Sequence, residues 1–382
     1  MKRSTRLFSY SLLAVATSLA FSGCSEDGGF INIPPPAPAP PPAPPAPPAP
    51  PAPTADTFVL TSGAKLVGFA AATPGTAIST ATIAVPAGET LLGGDFRAAD
   101  GLYYVVTRVT ADNSVKVYTA DTTTGALGAA IPLLNNGTGA GGGTAGAAVT
   151  LAGAKVGGDF NPVANALRII DSTGVNLRTT LASTGNNTFV DAPLSTNLAE
   201  AAYTNSFSDT CQTDLYYINA SQLLLTGAPN GIAGNLASPR LVGRLGVIAD
   251  NLNSGFDVRT TATGNTLTAA LQVGGVYGLY TISTATGAAT SVGAIAGLGV
   301  DAVLSLSASL PAAGAVTNVP GNQLAITGGT AQSLVTFNRP PQGSAARLCS
   351  SNAITGLATG DAIVGADTRP NGGLLYALAQ NG

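Results

Sequence analysis

The sequence contains no histidine and no tryptophan, and its one methionine is the initiator. Without histidine the chain cannot build a Ser-His-Asp triad, a histidine metal site or a histidine general base. Charged residues make up only 9% of the 382 residues, whereas about a quarter is usual in soluble domains. Because nucleic-acid binding needs clustered cations that displace counterions, we expect no nucleic-acid partner.

The first 24 residues have the pattern of an exported bacterial lipoprotein. A positively charged start, MKRSTR, precedes an apolar run at residues 7–21 that is too short to cross a bilayer comfortably. The run ends in FSGC, which resembles a lipobox in which Cys24 carries the lipid. We predict a signal peptide over residues 1–23 and an outer-membrane lipoprotein of the cell envelope, periplasmic or surface-exposed. The alternative is an ordinary signal peptide with an incidental cysteine.

A proline- and alanine-rich segment follows the predicted lipid site. It reads PPPAPAPPPAPPAPPAPPAP between Pro34 and Pro53. Such a stretch adopts polyproline II and reaches roughly 60 Å at about 3.1 Å per residue. Residues 24–54 are therefore predicted to be a lipidated N-terminus and a semi-rigid linker that holds a domain away from a membrane.

From Thr57 onward the sequence predicts many short strands. Runs rich in Val, Thr, Tyr and Leu alternate with Gly, Asn and Asp. VKVYTADTTTGALGAAI and GLYTISTATGAATSVGAI each read as a hairpin, in which Gly125 and Gly287 supply the positive φ of the turn. The glycine-rich insertion at residues 135–148 is predicted to be a flexible loop.

The tetrapeptide GGDF occurs at residues 93–96 and 157–160, each time ahead of a second apolar run. We interpret it as the start of a strand whose hairpin partner is that run. Looser copies recur, and the marker positions are Asp95, Asp159, Tyr203, Asp257 and Asp301. A unit of about 45 residues with four short strands is a propeller blade. We therefore predict an all-β, propeller-like ring of five to six short antiparallel sheets, with a β-sandwich or partial β-solenoid as alternatives.

Several segments together resemble a known bacterial family. They are GETLLGGDFRAADGLYYVV, GGDFNPVANALRIIDSTGVNLRTTLASTG, AAYTNS, DLYYINA, GFDVR and LYTISTATGAATSVGAI. They are similar to domain of unknown function 4394, over roughly residues 58–308. The resemblance implies a propeller-like fold in an exported or surface-attached protein, and it implies no activity.

The C-terminal region parallels the start of the predicted domain. ITGLATGDAIVGADTRPNGGLLYALAQNG matches IAVPAGETLLGGDFRAADGLYYVV, and Asp367 lies 272 residues after Asp95. We predict a propeller-like domain at residues 55–312. Residues 313–382 are either the start of a second copy or a unit that closes the ring.

The best candidate for chemistry is a repeated Asp-x-Arg pattern. Residues two apart on a strand share a face, so each pair is expected to form a local ion pair or to bond backbone groups. The functional alternative is a ring of carboxylates in a propeller channel that binds Ca²⁺ or a sugar. The candidate ligand- or ion-binding residues are Asp95, Asp159, Asp257, Arg97 and Arg259. We expect no catalytic residue, no metal site and no cofactor, Ca²⁺ being the one candidate ion.

Two cysteines remain once Cys24 is lipidated. Outside the cytoplasm a pair indicates a disulfide, here between Cys211 and Cys349. Two free thiols, or pairing within a second copy, are the alternatives.

These features predict an uncharacterised envelope lipoprotein that is not an enzyme. It would present a binding or display module for a glycan or protein ligand, and contact the membrane only through its lipid. The alternative is a carbohydrate-active hydrolase that uses aspartate carboxylates, because glycoside hydrolysis employs a pair of carboxyl groups.

Overall fold

A computed structural model describes most of the chain after the predicted linker. The described residues are 54–182, 185–194, 198–219, 221–228, 239–317, 321, 323–329, 331–338, 347–369 and 373–381. Every regular element in these ranges is a β-strand, and among them there is no helix of the length and apolarity needed to cross a bilayer. The predicted signal peptide, Cys24 and the linker up to residue 53 lie outside the described residues.

Five sheets of four antiparallel strands, which we call blades 1 to 5, follow one another along the chain. Blade 1 contains β1 (Thr57–Thr61), β2 (Lys65–Phe69), β3 (Ala77–Thr82) and β20 (Val303–Ala308). Blade 2 contains β4 (Glu89–Phe96), β5 (Tyr103–Val109), β6 (Val115–Ala120) and β7 (Ile131–Pro132). Blade 3 contains β8 (Val156–Asn161), β9 (Ala166–Asp171), β10 (Asn176–Thr179) and β11 (Thr188–Val190). Blade 4 contains β12 (Leu198–Tyr203), β13 (Leu215–Asn219), β14 (Leu223–Ala228) and β15 (Arg240–Arg244). Blade 5 contains β16 (Gly255–Thr261), β17 (Gly264–Val273), β18 (Val276–Ile282) and β19 (Ala289–Ala294).

The blades form a closed ring. The inner strands β4, β8, β12, β16 and β20 contact one another in that order, and β20 also contacts β4. β20 pairs with β1 from Thr57 opposite Ala308 to Thr61 opposite Val303, so the two ends of the ring share one blade. The predicted all-β, propeller-like ring is confirmed, with five blades.

The hydrophobic core is divided into five clusters, one in each gap between neighbouring blades. Between blades 2 and 3, for example, Tyr104 and Phe160 meet edge to face with ring centroids 5.3 Å apart. Many central strands are accordingly buried on both faces; β1 and β9 are buried at every position. Since a sheet must cover its apolar faces, the ring lets each blade use its neighbours for this purpose.

The GGDF motif lies at the end of an inner strand, so the prediction that it starts a strand is wrong. β4 ends at Phe96, and β8 ends one residue after Phe160. Its second glycine allows close strand contact: a Cβ at Gly94 would lie 2.6 Å from the Tyr104 carbonyl oxygen, and one at Gly158 only 2.5 Å from that of Arg168.

Both predicted hairpin turns occur, with a φ of 75° at Gly125 and 78° at Gly287. The glycine-rich insertion at residues 135–148 is not the loose loop that the sequence predicted. Gly141 donates its N–H to the Val190 carbonyl at 2.8 Å, so the insertion is fastened to the outer edge of blade 3.

The region after the ring forms two further sheets. The strands are β21 (Gln323–Ile326), β22 (Ser333–Asn338), β23 (Arg347–Ala353), β24 (Asp361–Thr368) and β25 (Leu375–Asn381). The first three form one sheet and the last two another; together we call them the tail. A disulfide joins Cys349 of β23 to Cys211, with the Cα atoms 5.6 Å apart. The proposed domain boundaries at residues 55, 312 and 313 stay predictions.

Candidate functional site

Three of the predicted aspartates converge where the inner strands face one another. Asp95, Asp159 and Asp257 each offer a carboxylate oxygen within 4.8 Å of the other two. Their exposed fractions are 6%, 2% and 4%. They come from blades 2, 3 and 5, and we call them the channel aspartates. Only the closed ring brings these positions together.

Each channel aspartate also holds the inner strand of the next blade. Its carboxylate accepts a backbone N–H from the residue that follows the equivalent position in that strand. The bonds are Phe160 N to Asp95 Oδ2 at 3.2 Å, Tyr203 N to Asp159 Oδ2, and Ala308 N to Asp257 Oδ2 at 2.5 Å. The carboxylates thus act as latches between neighbouring blades.

The same bonds show which residues take the equivalent place in the other two blades. Ala202 precedes Tyr203, and Ser307 precedes Ala308. The marker positions predicted in these blades, Tyr203 and Asp301, were therefore wrong. Asp301 instead forms an ion pair with Lys65 at 2.9 Å. Sequence reasoning missed both positions because neither Ala202 nor Ser307 is the aspartate that marks the other three blades.

Burial raises the pKa of all three channel aspartates, and those of Asp159 and Asp257 lie well above the ordinary value. For Asp159 the negative charges of Asp95 and Asp257 raise the pKa further. None of the ion pairs formed by the described residues includes a channel aspartate. Protons or a cation must therefore neutralise the cluster, because isolated buried carboxylates are very costly.

A second buried group lies beside the cluster. The Tyr103 side chain is 2% exposed, and its hydroxyl has no hydrogen-bond partner among the described residues. This hydroxyl reaches Gly94, where it would lie 2.7 Å from a Cβ. Burial raises the pKa of Tyr103, and the charges of Asp95 and Asp257 raise it further. The neighbouring hydroxyls of Ser305 and Ser307 lower this pKa, so the two serines supply polar groups beside the Tyr103 hydroxyl.

A small cavity adjoins Asp95 between blades 2 and 3. Its volume is about 20 Å³, and Gly94, Gly158 and Ser305 help to line it. A space of this size holds about one water molecule. This cavity is therefore too small for a sugar ring.

A buried ion pair lies near the beginning of the inner strands. Lys155 Nζ donates to the carbonyl oxygens of Ser254 and Leu304, each at 2.7 Å, and lies 2.6 Å from Glu200 Oε1. Lys155 thus joins blade 3 to blades 5, 1 and 4. Burial raises the pKa of Glu200 to about 7, although Lys155 lowers it. Sequence reasoning missed this pair; the only signal was a lysine just before a buried strand.

The segment after β12, residues 204–213, spans the opposite end. Ser208 Oγ donates to the Ala98 carbonyl of blade 2 at 2.7 Å, and Ser206 N donates to Thr260 Oγ1 of blade 5 at 3.0 Å. Because blade 3 lies between blades 2 and 4 in the ring, the Ser208 bond links two blades that are not neighbours. We call residues 204–213 the cap segment; Cys211 lies in it.

The two predicted arginines are not part of the cluster. Arg97 pairs with Asp100 at 2.9 Å, and Arg259 pairs with Asp56 at 2.6 Å. Of the two roles expected for Asp-x-Arg, the local ion pair is wrong, whereas the bonding of backbone groups is confirmed for the three aspartates. Arg97 lies beyond the end of β4, so strand alternation no longer places it on the face of Asp95.

The donor set fits a hard divalent cation. Ca²⁺ prefers carboxylate and other oxygen ligands at about 2.3–2.6 Å, so oxygens within 4.8 Å of one another can share one ion. The residues that could hold it are the channel aspartates, with the Tyr103 hydroxyl nearby.

Several solved structures are similar to this chain at low identity. A nidogen–laminin complex is 9% identical, with 67% of this chain and 99% of that chain covered and a TM-score of 0.36. A protein described as a candidate 6-phosphogluconolactonase from Bacteroides uniformis is 12% identical, with 85% and 94% covered and a TM-score of 0.34. The periplasmic gluconolactonase of Pseudomonas aeruginosa is 12% identical, with 76% and 77% covered and a TM-score of 0.30.

The prediction that the chain is not an enzyme is contradicted by these neighbours, because two of them are described as lactonases. Likeness at TM-scores below 0.5 does not transfer their activity to this chain. No curated protein matches the sequence.

The family is decided by the sequence of the ring itself. The model of the domain of unknown function DUF4394 matches residues 65–306, from β2 to β20. This range contains all three channel aspartates, Lys155, Glu200 and the cap segment. The chain therefore belongs to the DUF4394 family.

Proposed function

We propose that this protein is an envelope-anchored propeller whose channel aspartates bind one Ca²⁺ ion, and that the ring so braced presents a binding surface for a glycan or protein ligand. The observation that carries the proposal is the convergence of three buried carboxylates from three blades, none of them in an ion pair of the described residues. A cation there would neutralise the cluster and connect blades 2, 3 and 5 at one point.

The binding of Ca²⁺ is tested by thermal unfolding of the full chain with added Ca²⁺ and with a chelator. At a Ca²⁺ concentration of 100 times Kd, a ligand that binds only the folded state stabilises it by about 2.7 kcal/mol. We expect Ca²⁺ to raise Tm, and Asp159→Asn to abolish the rise. Asparagine can still accept the Tyr203 N–H, so the latch between blades 3 and 4 survives in this variant.

Asp301→Asn is the matched control, because Asp301 is an acidic residue of the same ring that pairs with Lys65 away from the cluster. It should keep the full Ca²⁺ response. A wild-type Tm that is the same with Ca²⁺ and with the chelator would refute the cation site.

The envelope anchor is a separate part of the proposal. It is supported by the FSGC sequence that ends at Cys24 and by the proline-rich segment that follows. Stable anchoring requires more than one acyl chain, which bacterial lipidation at cysteine provides. We expect Cys24→Ser to move the protein out of the membrane fraction, and globomycin to make the precursor accumulate. Unchanged fractionation of the variant would exclude the lipid anchor.

A hydrolase is the second candidate function. It is favoured by the raised pKa values of Asp159 and Asp257, since a general acid at neutral pH needs such a shift. A substrate could reach these carboxyls only after the ring opens locally, because all three are at least nine-tenths buried. Hydrolysis of a sugar lactone or glycoside that Asp159→Asn abolishes, and that Asp301→Asn leaves intact, would favour this function over the binding module.

A further inference from the structure

The first tail sheet repeats blade 1 in its strand register. In blade 1 Phe69 of β2 lies opposite Thr57 of β1, and in the tail Phe337 of β22 lies opposite Gln323 of β21. The pairing of β2 with β3 shifts immediately before Phe69, and that of β22 with β23 shifts immediately before Phe337. β21, β22 and β23 are thus the counterparts of β1, β2 and β3.

The second tail sheet repeats the first hairpin of blade 2 in the same way. Asp367 lies opposite Tyr376, as Asp95 lies opposite Tyr104. The register of β24 also shifts between Ile363 and Gly365, as that of β4 shifts between Leu91 and Gly93. Two sheets that agree in register and in the position of each irregularity share one architecture with the start of the ring.

The tail differs from the ring at one strand. In blade 1, β1 pairs with β20 on its inner side, whereas β21 pairs only with β22 among the described strands. The consequence appears at matching positions: Phe58 of β1 is 9% exposed, and its counterpart Leu324 of β21 is 45% exposed. The inner edge of β21 is therefore the place that β20 occupies in the ring.

A groove of about 620 Å³ lies between the two tail sheets. Val364 and Asp367 line it, and so do five larger apolar residues, Leu324, Ile326, Leu334, Ile363 and Leu375. Their counterparts in the ring, in the same order, are Phe58, Leu60, Leu66, Leu91 and Tyr103. Those counterparts form the buried core between blades 1 and 2, against which Leu304 of β20 packs. The ring itself shows what covers such a groove.

The side-chain amide of Gln332 fixes the spacing of the two tail sheets. Gln332 Nε2 donates to the Ile363 carbonyl at 3.0 Å, and Ile363 N donates to Gln332 Oε1 at 2.6 Å. This pair of bonds connects the two tail sheets across the groove, so an incoming segment meets a preformed site.

We propose that the tail groove binds an extended strand of the β20 type from a partner that carries the repeat of this family. The strand pairs antiparallel with the edge of β21 that no described strand covers, and it places the residue that corresponds to Leu304 in the groove, a case of β-strand addition. The pairing of β1 with β20 gives the register: the residues that correspond to Ala308, Ser307 and Leu306 lie opposite Gln323, Leu324 and Ala325. This surface is independent of the cation site.

The test is the binding of a fluorescent peptide with the sequence of residues 301–309, DAVLSLSAS, to the full chain, measured by anisotropy. We expect saturable binding that a chelator does not change. A peptide with Asp at the position of Leu304 should bind at least about tenfold more weakly, since Leu304 packs against the equivalent core of the ring and a charge would enter the groove.

Leu324→Lys in the protein should weaken binding of the peptide by at least about tenfold. The variant should still fold, because Leu324 is half-exposed and substitutions at such positions change stability little. Ile248→Lys is the matched control, because Ile248 is an exposed apolar residue outside the tail, 83% exposed, and it should bind the peptide like wild type. Two results would overturn the proposal: no binding to the wild type, or equal binding to Leu324→Lys. A dimer that Leu324→Lys abolishes, with no peptide binding, would assign the groove to a second copy instead.

Discussion

At the scale of single residues, the tetrapeptide Gly-Gly-Asp-Phe divides three tasks among adjacent positions. Gly158 leaves room for the neighbouring backbone, Asp159 accepts an N–H from the next blade, and Phe160 fills the gap between blades 2 and 3. The same order serves at Gly94 and Asp95. One short motif therefore specifies strand spacing, blade-to-blade attachment and core packing together.

The aromatic position should carry most of this stability. Phe160 is 2% exposed within the core between blades 2 and 3, and emptying such a site costs about 3–5 kcal/mol. Phe160→Ala should therefore lower the free energy of unfolding by that amount. Asp159→Asn should cost less than this, because asparagine still accepts the Tyr203 N–H and, being neutral, removes a buried carboxylate whose pKa burial and the other two aspartates raise. Urea denaturation without divalent cations measures both values.

Phe160→Leu is the control, because leucine keeps most of the apolar volume and should retain more stability than alanine. A larger loss for Asp159→Asn than for Phe160→Ala would contradict the packing role of the motif.

At the scale of strands and turns, the sequence predicted what depends on neighbouring residues. Gly125 and Gly287 were identified as turn positions because their positive φ is a property of the turn, which depends on neighbouring residues alone. The position of GGDF within its strand was predicted wrongly, since alternation alone does not show which end of an inner strand faces its neighbours.

The candidate site was predicted only in part for the same reason. Asp95, Asp159 and Asp257 follow a visible pattern, and they do meet. Lys155 and Glu200 lie on different blades, and nothing in their local sequence pairs them. Their contact exists only because the ring brings β8 and β12 side by side.

The ion pair between these strands should make stability depend on pH. The pKa of Glu200 rises from 4.5 to about 7 on folding, mainly through burial. The native state thus keeps the proton to higher pH than the unfolded chain, and this contribution to stability is full below pH 4.5 and lost as pH rises through about 7. A shift of this size corresponds to at most about 3 kcal/mol.

Glu200→Gln mimics the neutral acid. The free energy of unfolding of this variant minus that of wild type should therefore increase from pH 5 to pH 8. Thermal unfolding of both proteins across this range measures the contribution of Glu200 alone. The titration of the channel aspartates is common to both proteins and cancels in the difference. A difference that stays constant across this range would contradict the raised pKa.

At the scale of the whole molecule, the ring is complete without the tail. β20 closes it against β1, and the Cys211–Cys349 disulfide fastens the tail to the cap segment. From the sequence, residues 313–382 could be either the start of a second copy or a unit that closes the ring. A repeat offset of 272 residues shows that two segments are similar, but it does not show which strands pair.

Removing the disulfide should therefore affect the tail more than the ring. In the double variant Cys211→Ser and Cys349→Ser, we expect limited proteolysis of the tail to become severalfold faster because its tether is lost. The main unfolding transition should change less than the proteolysis of the tail, because the disulfide links the tail to the cap segment and not one blade of the ring to another.

The single variant Cys349→Ser is the control for a free thiol at Cys211 and should behave alike. Loss of the main transition together with the tail would show that ring and tail unfold as one unit, contrary to this expectation.

The closure of blade 1 has a mechanical consequence. Thr57 lies opposite Ala308, and Ser309 donates its N–H to the Asp56 carbonyl at 2.9 Å, so the chain enters and leaves the ring at the same end of one antiparallel pair. Tension between the two termini would load the β1–β20 bonds one after another, like a zipper, rather than all at once in shear. A pull exerted through these termini should open the ring at this pair at low force, while the other four blades stay intact.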